Sequence, residues 1–188
     1  MNTTPEVMEC LDDPIDLLQT CHEKATHFVS LLEKLQRYLR GVACPDDPAV
    51  ETALQLMRYF DRAAPDHHAD EERDLFPILG ATLSATTDLQ ALMRNLSDQH
   101  RDLESLFAEI RPWLVGIVNG DVPATPAAQI SAFTSLYRAH IQIEEAFVLP
   151  VARLHLQEMD RIALARAMAL RRRFDQALAI ENRMEPHS

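Results

Sequence analysis

The chain has 188 residues, 47% of them hydrophobic and four of them glycine, and 18 basic against 29 acidic side chains leave a formal charge of −11. That length suits a single domain, residues 1–188, with a sizeable core, and the acidic balance argues against general affinity for nucleic acid or an anionic membrane. The opening MNTTPEVMECLDDPIDLLQT has no basic start and no apolar run, so no signal peptide or anchor is expected; Cys10, Cys21 and Cys44, without a CxxC, fit free thiols of a cytoplasmic protein.

Few alternating β-branched runs and much Leu, Ala, Glu, Arg and Gln predict an all-α protein. After an acidic leader over residues 1–12, Asp13-Pro14 supplies a cap and a first-turn proline for helix 1, which runs to Gly41. Its stripe is Ile15, Leu18, His22, Ala25, Val29 and Leu32, a bundle-core spacing with a histidine in the middle. Asp47-Pro48 repeats the start signal for a second helix ending near Leu79, striped by Leu54, Met57, Ala64, His67, Glu71, Leu75 and Ile78. Pro65 predicts a kink or short break in it. Residues 80–87 read as a turn. The third helix spans about Asp88 to Asn119 through Leu89, Leu92, Leu96, His100, Leu103, Phe107 and Ile110, with a kink expected at Pro112. The fourth starts at Thr125-Pro126 and is striped by Ile130, Phe133, Tyr137, His140, Glu144, Phe147, Val151 and Leu154. A last helix, roughly 159–183, carries Arg171, Arg172 and Arg173, read as a solvated face. Short connections imply an antiparallel up-down-up-down four-helix bundle over 14–155, with an additional C-terminal helix and tail over 156–188.

One polar pattern occurs twice. HHADEERDLFP, residues 67–77, and HIQIEEAFVLP, residues 140–150, both read H-x-x-x-E-E and end on proline. On a helix, a residue four further on lies only about 40° round and about 6 Å up, so His67 with Glu71, and His140 with Glu144, can each reach one point. Threaded through antiparallel helices, these four and the lone His22 and His100 all fall about 12 to 22 Å from the same end of the bundle. Six polar groups in a layer of Leu, Phe, Val and Ile would cost several kcal/mol unless satisfied. A hydrogen-bonded His and Glu network could do so for any one of them; a metal satisfies all six together. Imidazole and carboxylate without thiolate suit iron, manganese or zinc.

A lone His on helix 1, HxxxE on helix 2, a lone His on helix 3 and HxxxE on helix 4, over about residues 14–155, resemble the hemerythrin-like (HHE cation-binding) domain. The resemblance implies a four-helix bundle holding two iron ions with an oxo or hydroxo bridge. By position, His22, His67, His100 and His140 would be terminal ligands, and Glu71 and Glu144 would bridge. Oxygen-carrying hemerythrins place two histidines four apart on helix 3, whereas Leu96 and Glu104 stand four before and four after His100 here. That departure leaves one iron short of an imidazole unless Glu104 takes the place. It shifts the expectation from reversible oxygen storage towards sensing, iron handling or stress response.

Further side chains stand close enough to ligate or to support ligands. His68 is next to His67 but about 100° round the helix, a position that some family members use. Glu72 and Glu145 follow the paired glutamates and are read as partners of the ligands or as surface acids. Tyr137, one turn before His140, is core packing or lines a ligand pocket. His27, His155 and His187 are expected away from the site, and Cys21 is a small buried residue or a redox-responsive thiol.

Three functions remain open: a di-iron protein binding O2, NO or peroxide; an enzyme reducing peroxide or NO, or repairing iron-sulfur clusters, with an external electron donor; or a structural or interaction bundle holding zinc, or no metal. A homo-dimer is compatible with each. The E-x-x-H pairs of ferritin-like di-iron proteins and the HExxH of metalloproteases are absent.

Overall fold

The computed structural model describes residues 13–82 and 87–184. Helices α1 (Pro14–Tyr38), α2 (Asp47–Arg58), α3 (Ala64–Asp70), α4 (Phe76–Thr82), α5 (Thr87–Val118), α6 (Ala127–Ile143), α7 (Leu149–His155) and α8 (Glu158–Met184) follow in order, and no strand occurs among the described residues. The acidic leader, Cys10, residues 83–86 of the expected turn and His187 lie outside them, as does the side chain of Arg173.

Local signals set the ends. The Asp13 carboxylate accepts from the Ile15 amide at 2.8 Å and Pro14 opens α1; Asp46, one residue earlier than expected, does the same for α2 by accepting from Ala49 at 3.0 Å. Gly41 (φ 76°) and Gly120 (φ 89°) take the left-handed conformation that ends α1 and α5 cheaply. Pro112 lies inside α5, which continues to Val118.

Three wide π turns join α2 to α3 (Tyr59–Ala63), α3 to α4 (Glu71–Leu75) and α6 to α7 (Glu144–Val148) into continuous rods. Each closes with an amide reaching back five residues: Ala64 to Tyr59, Phe76 to Glu71, Leu149 to Glu144. The next residue is proline each time, Pro65, Pro77 and Pro150. A proline lacks the amide and its ring clashes with the carbonyl four residues back, and the wider turn relieves both. At Pro65 the rod therefore widens rather than breaks.

Each π turn adds a residue to its rod, which corrects the expected stripes by one position. Before the first turn Ala53 and Leu56 are buried, not Leu54 and Met57; after the second, Leu79 rather than Ile78; after the third, Val148 and Ala152 rather than Phe147 and Val151. Phe147 is 60% and Leu154 77% exposed.

The rods close a ring in which α1 packs on α2 and α6, and α5 packs on α2 and α6. Two apolar clusters fill it. One holds Ala25, Val29, Leu56, Phe60, Leu103, Phe107, Phe133 and Tyr137; the other holds Ile15, Leu18, Leu75, Leu79, Leu96, Val148 and Ala152, joined by Leu164 and Met168 of α8. Between them, on all four rods, lies one polar layer.

The arginine run is also corrected. Arg171 and Arg172 are not a solvated face: both pair with the fully buried Asp70, and Arg171 also reaches Asp74 at 2.7 Å. Two guanidiniums turn inward because a carboxylate without a partner cannot be carried in the core.

Candidate metal centre

The polar layer consists of His22 from α1, His67 from α3, Glu71 at the start of the second π turn, His100 from α5, His140 from α6 and Glu144 at the start of the third; none is more than 2% exposed. They form two groups that share both glutamates. His22, His67, Glu71 and Glu144 each bring a ligand atom within 4.8 Å of the others, and so do His100, His140, Glu71 and Glu144.

Each carboxylate divides its oxygens between the groups. Glu71 Oε1 lies 3.7 Å from His22 Nε2 and 3.5 Å from His67 Nε2, while its Oε2 lies 3.4 Å from His100 Nε2. Glu144 Oε2 lies 3.1 Å from His22 Nε2, while its Oε1 lies 3.1 Å from His140 Nε2. Every histidine therefore turns Nε2 inward, and two are hydrogen-bonded from behind: His100 Nδ1 is 2.7 Å from Glu72 Oε1 and His140 Nδ1 is 3.0 Å from Gln99 Oε1. Glu145 Oε1 stands 3.4 Å from His22 Nδ1 without forming a hydrogen bond. A carboxylate or amide behind the ring fixes the tautomer that presents a lone pair forward.

The layer does not satisfy itself. His22 Nδ1 and Nε2, His67 Nδ1, His68 Nδ1, Glu71 Oε2 and both Glu144 oxygens are buried without a hydrogen-bond partner; outside the site only Trp113 Nε1 shares that state among the described residues. Buried polar atoms that lack partners cost energy, and cations in the two groups would remove most of that cost.

The electrostatics point the same way. Burial alone would lower the His22 imidazole, but Glu144 and Glu71 outweigh it and bring it from 6.5 up to about 10. Burial likewise opposes charge on Glu71, yet the neighbouring imidazoles of His67, His100 and His22 hold it well below the usual carboxylate range. Burial takes His67 itself down to about 4, against the pull of Glu71. The layer keeps its carboxylates ionised and draws positive charge to them.

Other side chains stand around it. His68 is buried, its ring stacked on His100 at 4.0 Å and 8°, with Nε2 3.4 Å from the Tyr137 hydroxyl; it belongs to neither group. Burial holds its imidazole well below 6.5. Glu104 is not brought to the site: four residues past His100 it has climbed about 6 Å, level with Leu103 and Phe107, and is exposed. His27 is exposed and His155 half-buried at the end of α7. A small cavity of about 20 Å³ is lined by Phe60, Leu103, Phe107, Phe133, His68 and Tyr137, with exposed Glu104 on the same lining. The sequence reading missed the π turns and the Asp70 pairing; the prolines after each π turn were the available signal for the former.

The family model of the hemerythrin HHE cation-binding domain matches residues 13–152. An uncharacterized protein of Haemophilus influenzae is 29% identical over 141 residues, which is 75% of this chain and 80% of the relative. No helix among the described residues is long and apolar enough to cross a membrane.

Proposed function

Because the chain belongs to the hemerythrin HHE cation-binding domain family, we propose that it is a non-haem di-iron protein that binds O2 or a related small ligand such as NO or peroxide, in sensing, iron handling or stress response. In this reading His22 and His67 hold one iron, His100 and His140 the other, and Glu71 and Glu144 bridge them. The observation that carries it is the sharing of both glutamates by two histidine groups, with one oxygen of each turned to either side. When bound, a pair of reduced irons supplies electrons to a small ligand.

The chain's own residues do the rest. Glu72 and Gln99 hold the His100 and His140 rings in the orientation that ligation needs. The two apolar clusters exclude bulk water above and below the layer. The cavity beside His68 has room for about one water-sized molecule, which suits a diatomic ligand and not a bulky substrate. His68, stacked on His100, and Tyr137, whose hydroxyl lies 3.4 Å from His68 Nε2, put two protic groups beside the layer; these favour, as a second reading, an enzyme that reduces peroxide or NO with an external electron donor.

Metal analysis of protein from an iron-replete culture, with absorption spectra before and after dithionite and air, tests the proposal. About two irons per chain with a near-ultraviolet charge-transfer band support it. Zinc, or less than one metal per chain, returns the bundle to a structural role. Repeated turnover of peroxide or NO separates the enzyme from the binding protein.

A further inference from the structure

Helix α8 lies beyond the segment matched by the family model, which ends at residue 152, yet it reaches the backbone that carries the metal layer. Arg171 and Arg172 take one oxygen each of Asp70, the residue before Glu71 and fully buried at the end of α3. Arg171 also donates to Asp74 at 2.7 Å, inside the π turn that Glu71 opens, so one helix grips that turn on both sides of Glu71. Arg172 is itself fixed by donating to the Met168 carbonyl at 2.8 Å, and its Nη2 comes within 3.8 Å of Cys21 Sγ, the neighbour of His22. At the other end of α8, Arg161 donates to Asp13 at 2.6 Å, tying α8 to the cap of α1, the helix that carries His22. Leu164 and Met168 between these ties are buried in the second apolar cluster.

The contacts fall on one side of the layer. Asp70, Asp74 and Cys21 flank Glu71, which both groups share, and His22, which belongs only to the group with His67; none flanks His100 or His140. If α8 lifts, Asp70 loses both of its hydrogen-bond partners in the core, which is unfavourable for a buried polar group, and Glu71 is the next residue on the same rod.

We propose that α8 is a clamp energetically coupled most strongly to the metal position formed by His22, His67, Glu71 and Glu144, and through the shared Glu71 also to the other, with Arg172 and Arg171 as positioning residues. The inference rests on the metal reading given above. Coupling between two sites is reciprocal: if docking of α8 tightens the metal, occupancy of that position tightens α8. Occupancy inside the bundle is thereby expressed on its surface, as the hold on one helix.

Cobalt(II) titration of the full chain, followed by visible absorption and metal analysis, tests this together with amide exchange across 158–184. The wild-type chain should take up two cobalt ions, and their binding should slow exchange along α8. In Arg172→Met, one cobalt should weaken about ten- to hundredfold, the usual cost of removing an outer partner. The other, which shares Glu71 but not His22, should weaken less, and cobalt should lose its effect on α8 exchange. Should Arg172→Met fail to fold, Asp74→Asn, which weakens only the Arg171–Asp74 contact, is read on the same two signals and should shift them in the same direction. Two cobalt ions that weaken equally or not at all, or α8 exchange indifferent to cobalt in the wild type, overturn the clamp alone. A wild-type chain that binds no second cobalt overturns the metal reading and the clamp with it.

Discussion

Glu71 and Glu144 hold equivalent places in two different rods: each opens a five-residue π turn, and each sends one oxygen to either histidine group. A shared ligand and an unshared one should therefore fail differently. Glu144→Ala strips an oxygen from both positions, whereas His140→Ala strips a nitrogen from only one. After reconstitution with iron, Glu144→Ala should retain almost none and His140→Ala about one iron per chain. Equal losses in the two variants would contradict the sharing.

The π turn at Glu144 makes a prediction about stability that needs no metal. Val148 is 1% exposed and its neighbour Phe147 60%. Val148→Ala removes a buried branched side chain and should cost about 2 kcal/mol, while Phe147→Ala should stay within about 0.5 kcal/mol. An unbroken α-helical register would reverse the ranking. Urea unfolding of the two metal-free variants decides between them.

Much of this was legible because the repeated H-x-x-x-E pattern is chemistry written at helical spacing: the four histidines and two glutamates of the layer stand where period and antiparallel order place them. What escaped was whatever departs from that period. Phe147 and Leu154 fit an ideal 3.6-residue stripe and are exposed, because the π turn advances the register by one. Pro77 and Pro150 hinted at this, but Pro112 lies in a continuous α-helix, so proline alone does not decide. Asp70 and Arg172 are 102 residues apart; nothing local in either segment announces such a pairing.

His22 gives the metal-free site a defined pH response. Burial, which alone would lower it, is outweighed by Glu144 and Glu71, and the imidazole stands at about 10 rather than 6.5. The folded value is the higher one, so the protonated ring contributes stability that is fully present below pH 6.5 and is lost as pH rises through about 10. Metal takes only the neutral ring, so uptake between those values must expel the proton. Zinc added at pH 8 in weak buffer should release at least about one proton per chain, and affinity should rise about tenfold per pH unit for each proton expelled. Uptake without acidification would show that His22 is not a ligand or does not hold the proton.

Ala64 tests how a small ligand reaches the layer. It is 2% exposed and lines the cavity of about 20 Å³ together with Phe60, Phe107 and Phe133, close to His68 and Tyr137. Ala64→Leu adds three carbons to a space with room for one small molecule, at an overpacking cost of about 1–3 kcal/mol. Ala64 is no ligand, so the iron content and the spectrum of the reduced protein should not change. The reaction with air should slow at least about tenfold, equivalent to about 1.4 kcal/mol on the barrier. Glu104→Ala, on the same lining but exposed, should leave that rate unchanged. If Ala64→Leu reacts as fast as the wild type by stopped-flow absorption, the ligand enters by another route, and the aromatic lining serves packing alone.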